Sequence, residues 1–100
     1  SASADSDWAH GEALQHKTAG NAHFTAGAYE AAIGCYREGL SALACATDAS
    51  GRPVAVRRWS WPLASILHSN SAQAHLCAGD AAAARRAAVA ALKFDPANEH

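Results

Sequence analysis

The sequence predicts an all-α protein in which four main helices form two stacked helix-turn-helix hairpins. Alanine is the first reason, because it supplies 28 of the 100 residues and is the strongest helix former, whereas β-branched residues are scarce. The second reason is the spacing of the apolar residues, which recur at steps of three and four along most of the chain. The third reason is a hairpin pattern that occurs twice, 52 residues apart. Since bulky apolar side chains are few, we expect a thin core in which backbones approach closely over alanine.

The first predicted hairpin contains one helix from about Trp8 to Thr25 and another from about Ala28 to Thr47. Asp7 is a suitable N-cap for the first helix, and Ala26-Gly27 is a suitable end. Residues 1–7 are small, polar and acidic, which differs from a signal peptide and predicts a disordered leader. One apolar stripe supports the second helix and consists of Tyr29, Ile33, Tyr36, Leu40 and Leu43.

The second predicted hairpin follows a loop at residues 48–53, Asp-Ala-Ser-Gly-Arg-Pro. Its first helix is predicted over about Leu63–Ala78, and the start of this helix has two interpretations. Either Pro53 opens the helix early and Pro62 kinks it, or Ser60 caps a later start at which Pro62 occupies the first turn. The later start is favoured, because proline is tolerated in the first turn of a helix.

The last predicted helix runs from about Ala81 to Phe94, after a turn at Gly79-Asp80 in which Asp80 serves as the N-cap. The pair Asp95-Pro96 ends this helix, because a proline disfavours the helical conformation of the residue before it. Residues 97–100 are predicted to form either a short extra C-terminal turn or a frayed end.

The two predicted hairpins share one register. A shift of 52 residues places Gly27 on Gly79 and Ala32 on Ala84, and it also aligns two pairs of histidines, His16 with His68 and His23 with His75. Three segments carry a recognisable pattern: residues 17–24 (Lys-Thr-Ala-Gly-Asn-Ala-His-Phe), residues 27–32 (Gly-Ala-Tyr-Glu-Ala-Ala) and residues 92–96 (Leu-Lys-Phe-Asp-Pro).

These segments resemble the tetratricopeptide repeat family, whose 34-residue unit is a helix-turn-helix with small, aromatic and proline residues at fixed positions. Gly20, Ala32 and Pro96 stand at such positions, and Tyr36 stands at an aromatic one. The resemblance covers about residues 12–100. The two hairpins are offset by about 18 residues more than the family's unit, and the resulting longer helices and loop resemble the repeat domains of large immunophilins and related co-chaperones. The resemblance implies a superhelix fragment over residues 8–100, with repeat one at about 13–46, an inserted segment at about 47–62 and repeat two at about 63–98.

Lys17 and Asn21 lie four residues apart, on one face of the first predicted helix. In part of this family, a lysine and an asparagine at these positions hold a C-terminal carboxylate together with a second asparagine from the next repeat. The segment Leu67-His-Ser-Asn-Ser-Ala72 resembles that second motif, which assigns the role to Asn70. The resemblance implies a co-chaperone-like clamp for the Glu-Glu-Val-Asp tails of heat-shock protein 90 and heat-shock protein 70 class chaperones. The predicted peptide-binding residues are Lys17, Asn21, Phe24, Asn70, Gln73 and Cys77.

The predicted clamp lacks the lysine and arginine that the family takes from a third repeat. That repeat would begin at about Glu99, with His100 near the position of the lysine. Alternatives therefore stay open. Lys17 is also explained as a solvated surface residue, Asn70 as a buried amide that bridges helices, and the whole chain as an oligomerisation scaffold that pairs the helix over residues 81–94 with another copy.

Composition excludes several other classes of protein. A net charge of −1 with 17% charged residues provides no basic stripe for nucleic acid. No apolar run approaches the roughly 18 residues of a membrane span. Three cysteines without CxxC spacing disfavour a disulfide scaffold and favour a reducing, cytoplasmic compartment.

The residues also give little support to metal binding or catalysis. The repeated histidines occupy positions that packing aromatic residues usually fill, and a zinc site needs four converging ligands. There is no glycine-rich phosphate loop and no nucleophile elbow. Arg57, Arg58, Trp59 and Trp61 suit either a cation–π surface for a partner or packing beside the insertion. We expect a non-enzymatic binding module without catalytic residues, cofactor or metal.

Overall fold

The computed structural model describes residues 2–44 and 60–94, with side chains from residue 8 to residue 43 in the first range. Four helices cover almost all of this part, and neither range contains a strand. They are α1 (Ala2–Thr25), α2 (Tyr29–Ala44), α3 (Trp61–Cys77) and α4 (Ala81–Phe94). The all-α prediction is therefore confirmed.

The helices pack as two stacked hairpins. α1 packs along α2, and α3 packs along α4, while α2 lies against α3 and joins the two hairpins. α1 also reaches α3, over a smaller area. The core that the described residues form is thin, as the composition predicted, and four of its nine buried members are alanine: Ala13, Ala32, Ile33, Tyr36, Leu43, Leu63, Ala64, Leu67 and Ala74.

Gly39 on α2 marks a point where three helices approach closely. A Cβ atom at this position would lie 3.3 Å from the carbonyl oxygen of Ala13 on α1 and 3.2 Å from a methyl carbon of Leu67 on α3. Leu67 is 0% exposed. Because Gly39 has no side chain, α1, α2 and α3 can pack closely around Leu67. A chain with few bulky side chains thereby has a tightly packed centre.

The two hairpin turns have the same structure. Gly27 has a φ of 81° and Gly79 a φ of 88°, in the left-handed region that favours glycine. In both turns the glycine amide donates to the carbonyl three residues before it, and the next amide donates to the carbonyl five residues before its own, at 2.8 to 3.1 Å. This pair of bonds is the Schellman motif. Asp80 then caps α4, since its Oδ1 accepts from the Ala83 amide at 3.0 Å.

α1 begins six residues earlier than predicted. The helix starts at Ala2 rather than near Trp8, so the segment predicted as a disordered leader is helical from its second residue, and Asp7 is not an N-cap. Alanine favours the helix in this segment, and acidic residues near a helix N-terminus interact favourably with the helix dipole. Both effects favour the longer helix.

α3 begins at Trp61 with Pro62 in its first turn, as the favoured interpretation predicted. Ser60 occupies the N-cap position, but its side chain makes no capping hydrogen bond. Its hydroxyl instead lies 3.0 Å from Nδ1 of His10 on α1. A contact between helices has replaced the local cap that the sequence suggested.

Several predictions concern residues 45–59 and 95–100, which lie outside the described residues. They are the last turn of the second helix, the loop at residues 48–53, the Arg57-Arg58-Trp59 surface and the C-terminal turn. The segment that would begin a third repeat belongs to the same undescribed tail.

The ring of Phe94, at the end of α4, packs against two aromatic side chains of α3. The ring of His68 stacks on it with centroids 5.7 Å apart, and Trp61 meets it edge-on at 6.0 Å. Burial lowers the pKa of His68, because desolvation disfavours the charged imidazolium. Within the described ranges no group of three or more His, Cys, Asp or Glu side chains is placed to hold a metal ion. The contacts give His68 a packing role.

α4 presents a mixed surface to solvent. Val89 is 51% exposed and Leu92 is 36% exposed, and both share the exposed side of the helix with Arg85 and Ala88. In the part of the chain that the structure describes, no helix is long and apolar enough to cross a lipid bilayer.

Gly20 and Gly34 form a matched pair that tests the packing of α1 on α2. A Cβ atom at Gly20 would lie 2.5 Å from a ring carbon of Tyr36, whereas one at Gly34 would meet nothing within 4 Å. Gly34→Ala should stabilise the fold by about 0.5–1 kcal/mol, through the higher helix propensity of alanine. Gly20→Ala should destabilise it by about 1–2 kcal/mol, because overpacking outweighs the same gain. Urea denaturation followed by circular dichroism measures both effects, and equal stabilisation by the two substitutions would contradict this packing.

Candidate functional site

Three helices bring polar side chains together at one point of the stack. Asn21 belongs to α1, Tyr36 to α2 and Asn70 to α3. The carbonyl oxygen Oδ1 of Asn21 accepts two hydrogen bonds, one from the Tyr36 hydroxyl at 2.6 Å and one from Nδ2 of Asn70 at 3.2 Å. Since these residues are far apart in the chain, only the stacking of the two hairpins can create the trio.

A cavity of about 130 Å³ lies beside this trio and is partly open to solvent. Phe24 provides an apolar wall, and its ring meets Tyr29 edge-on with centroids 5.4 Å apart. The other walls formed by described residues are amide and phenol groups, so none of the described charged side chains lines the cavity. The lining residues are Asn21, Phe24, Tyr36, Asn70 and Gln73.

Helical spacing explains why these residues share one cavity. Asn21 and Phe24 lie three residues apart on α1, and Asn70 and Gln73 lie three apart on α3, so each pair occupies one helical face. Gln73 is also the counterpart of Asn21 in the 52-residue register. The first helices of the two hairpins therefore offer side-chain amides to one groove, which we name the α1–α3 groove.

Tyr36 is a neutral hydrogen-bond donor in this site. Its side chain is 1% exposed, and burial, followed by the charge of neighbouring Cys35, raises the pKa of its phenol. Its hydroxyl and the amide of Asn70 both donate to Oδ1 of Asn21. The N–H groups of Asn21 have no acceptor among the described residues, and they are available to a ligand.

The structure brings four of the six predicted binding residues to one cavity: Asn21, Phe24, Asn70 and Gln73. Lys17 stands one turn before Asn21 on the same face of α1, half-buried, without an ion pair to any described residue. Cys77 stands one turn beyond Gln73 on α3, as an exposed free thiol. Neither Lys17 nor Cys77 lines the cavity itself.

Asn70 does bridge two helices, as one sequence interpretation proposed. It is half-buried and connects α3 to α1 through Oδ1 of Asn21. An amide nitrogen carries two N–H groups, and this bridge uses one of them. Asn70 can therefore hold the helices together and still donate to a ligand.

Tyr36 lines the cavity, although the sequence assigned it to the apolar stripe of α2 and to an aromatic position of the repeat pattern. Phenylalanine would fill the same buried position in a purely apolar core. A buried tyrosine usually finds a hydrogen-bond partner for its hydroxyl. This tendency could have predicted a polar group opposite Tyr36, although it could not have identified that group as Asn21.

The chain matches no family model, no curated protein and no solved structure. The groups that line the α1–α3 groove therefore indicate what the chain can bind. These groups are three amides, one phenol hydroxyl and one aromatic ring, with one lysine a helical turn away. Such a set can donate several hydrogen bonds to an acceptor and cover a small apolar group beside it.

Proposed function

We propose that the chain is a protein–protein interaction module of the tetratricopeptide repeat kind, which binds an acidic C-terminal peptide of a heat-shock chaperone in the α1–α3 groove. The observation that carries this proposal is the meeting of Asn21 and Asn70, whose side-chain amides come from two hairpins and lie 3.2 Å apart. Lys17 adds a cation one turn away on α1. The three residues are the ones that the resemblance assigns to a carboxylate clamp.

The chemistry of these groups suits a terminal carboxylate. A carboxylate is an acceptor only, and it has room for several donors. Asn21 and Asn70 supply amide N–H groups, and the ammonium of Lys17 supplies a charge-assisted bond, which is stronger than a neutral one. Phe24 supplies an apolar wall for the side chain that precedes the carboxylate in the peptide.

The same geometry limits the affinity that we expect. Lys17 is the cation that α1 places on this face, and no charged side chain of the described ranges lines the cavity. An exposed charge pair is screened over a Debye length of about 8 Å at physiological ionic strength. Binding should therefore be weak, and it should weaken further as salt is added.

The experiment that tests this function is a nuclear magnetic resonance titration of ¹⁵N-labelled protein with an eight-residue peptide that ends in Glu-Glu-Val-Asp. The side-chain amide signals of Asn21, Asn70 and Gln73 should shift together and saturate. Gln15 is the internal control, because it is an exposed amide on α1 that does not line the cavity. Absence of any shift, or an equal shift of Gln15, would contradict the proposal.

A further inference from the structure

Among the described residues, the hydroxyl of Tyr36 has one hydrogen-bond partner, Oδ1 of Asn21, at 2.6 Å. We propose that Tyr36 is a positioning residue of the α1–α3 groove: it fixes the orientation of the Asn21 amide so that the N–H groups, rather than the carbonyl, face the bound peptide. This inference rests on the proposed function, because it assigns to Tyr36 a role in that same site. Tyr36 acts through Asn21 and does not itself need to touch the peptide carboxylate.

An asparagine side chain needs such a constraint in order to serve as a donor. The two ends of its amide have nearly the same shape, so a rotation of the amide plane exchanges the oxygen and the nitrogen. Asn21 is exposed, and nothing in its own helix selects one orientation. If Oδ1 faced the peptide carboxylate, two acceptors would meet and the contact would be repulsive.

The geometry at Tyr36 selects one of the two orientations. A separation of 2.6 Å suits an O–H···O bond and is shorter than the range of about 2.7–3.2 Å that is usual for N–H···O bonds. The Tyr36 side chain is also 1% exposed. Rotation of the Asn21 amide would leave a buried phenol proton without an acceptor, which is unfavourable.

Gly20 makes this contact possible. A Cβ atom at Gly20 would lie 2.5 Å from Cε1 and 2.8 Å from Cδ1 of Tyr36, so the tyrosine ring lies directly against the α1 backbone. This close approach brings the hydroxyl to Asn21, the next residue along α1. Any larger residue at position 20 would push the ring away from that position.

A double-mutant cycle tests the positioning role. Tyr36→Phe keeps the ring and removes the hydroxyl, and it should weaken binding of the labelled acid peptide, measured by fluorescence anisotropy, by about threefold to tenfold. In an Asn21→Ala background the same change should have no further effect, because Tyr36 acts through Asn21. Tyr29→Phe is the matched control, since it removes a hydroxyl that forms no hydrogen bond with Asn21, and it should leave affinity unchanged. An equal loss from Tyr36→Phe in both backgrounds would show a general packing role and overturn the inference.

A second readout does not depend on peptide binding. In the free protein, Tyr36→Phe should move the side-chain amide signals of Asn21 and of its other partner, Asn70, whereas Tyr29→Phe should leave them in place. If the wild-type protein binds no acidic peptide, the proposed function fails, and these signals alone decide whether Tyr36 orients Asn21. Unchanged Asn21 signals in Tyr36→Phe would overturn the positioning role, whatever the peptide does.

Discussion

Lys17→Ala is expected to weaken binding of a peptide that ends in Glu-Glu-Val-Asp by about tenfold to a hundredfold. The reason is the loss of a charge-assisted hydrogen bond to the terminal carboxylate, which contributes roughly 1.5–3 kcal/mol. Lys17 is half-buried and forms no ion pair with a described residue, so no competing partner in residues 2–44 and 60–94 weakens this contact. Asn70→Ala should cost less affinity, because a neutral donor is lost. Fluorescence anisotropy at two salt concentrations measures the effect.

Lys93→Ala is the matched control for this experiment. Lys93 is exposed in the last turn of α4, and its removal makes the same change in net charge away from the groove. Its effect on affinity should stay within about twofold, as for other exposed charges. Equal losses from the two substitutions would show attraction by net charge alone, and no loss from Lys17→Ala would make Lys17 a solvated surface residue.

Leu67→Ala is expected to lower the free energy of unfolding by about 2–5 kcal/mol, because it leaves a cavity where α1, α2 and α3 meet. Leu67 is 0% exposed and packs against Gly39. Small folded proteins have total stabilities of about 5–15 kcal/mol, so this one substitution should remove a large share. Urea denaturation followed by circular dichroism measures the change.

Leu76→Ala is the control for the same chemical change at a surface position. Leu76 is on α3 as well, but it is 59% exposed, and its removal should change stability by no more than about 0.5 kcal/mol. If both leucine substitutions had the same small effect, the described core would not be the one that holds the hairpins together.

The hairpin turns and their register could be predicted because local chemistry determines them. A glycine after the last helical turn adopts the left-handed conformation, and an aspartate caps the next helix; Gly79 and Asp80 do so in the structure. The start of α1 could not be predicted, because the propensities of a short segment of alanine, serine and aspartate do not separate a leader from a helix. Ser60 does occupy the N-cap position of α3, but the partner of its hydroxyl, His10, lies 50 residues away, and no local pattern predicts that contact.

The candidate site could likewise be predicted where local spacing determines it, and it could not where packing between helices determines it. Lys17 and Asn21 share a helical face through local spacing, so the sequence could pair them, and the resemblance to a known family suggested Asn70. Tyr36 was assigned to the core because the apolar stripe of α2 explains its ring and says nothing of its hydroxyl. The partner of that hydroxyl belongs to a different helix, and no local pattern identifies a contact that forms only when α1 and α2 pack.

The most direct test of the account compares two peptides that differ only at their C-terminus, one that ends in Glu-Glu-Val-Asp with a free carboxylate and one with an amidated end. Titration calorimetry with the wild-type protein measures both affinities. We expect measurable binding of the acid, which weakens with added salt, and a loss of affinity of about tenfold or more with the amide, because the charge-assisted bonds go to the terminal carboxylate. Equal affinity for the two peptides would contradict the carboxylate clamp and would favour the alternative in which the chain is an assembly scaffold.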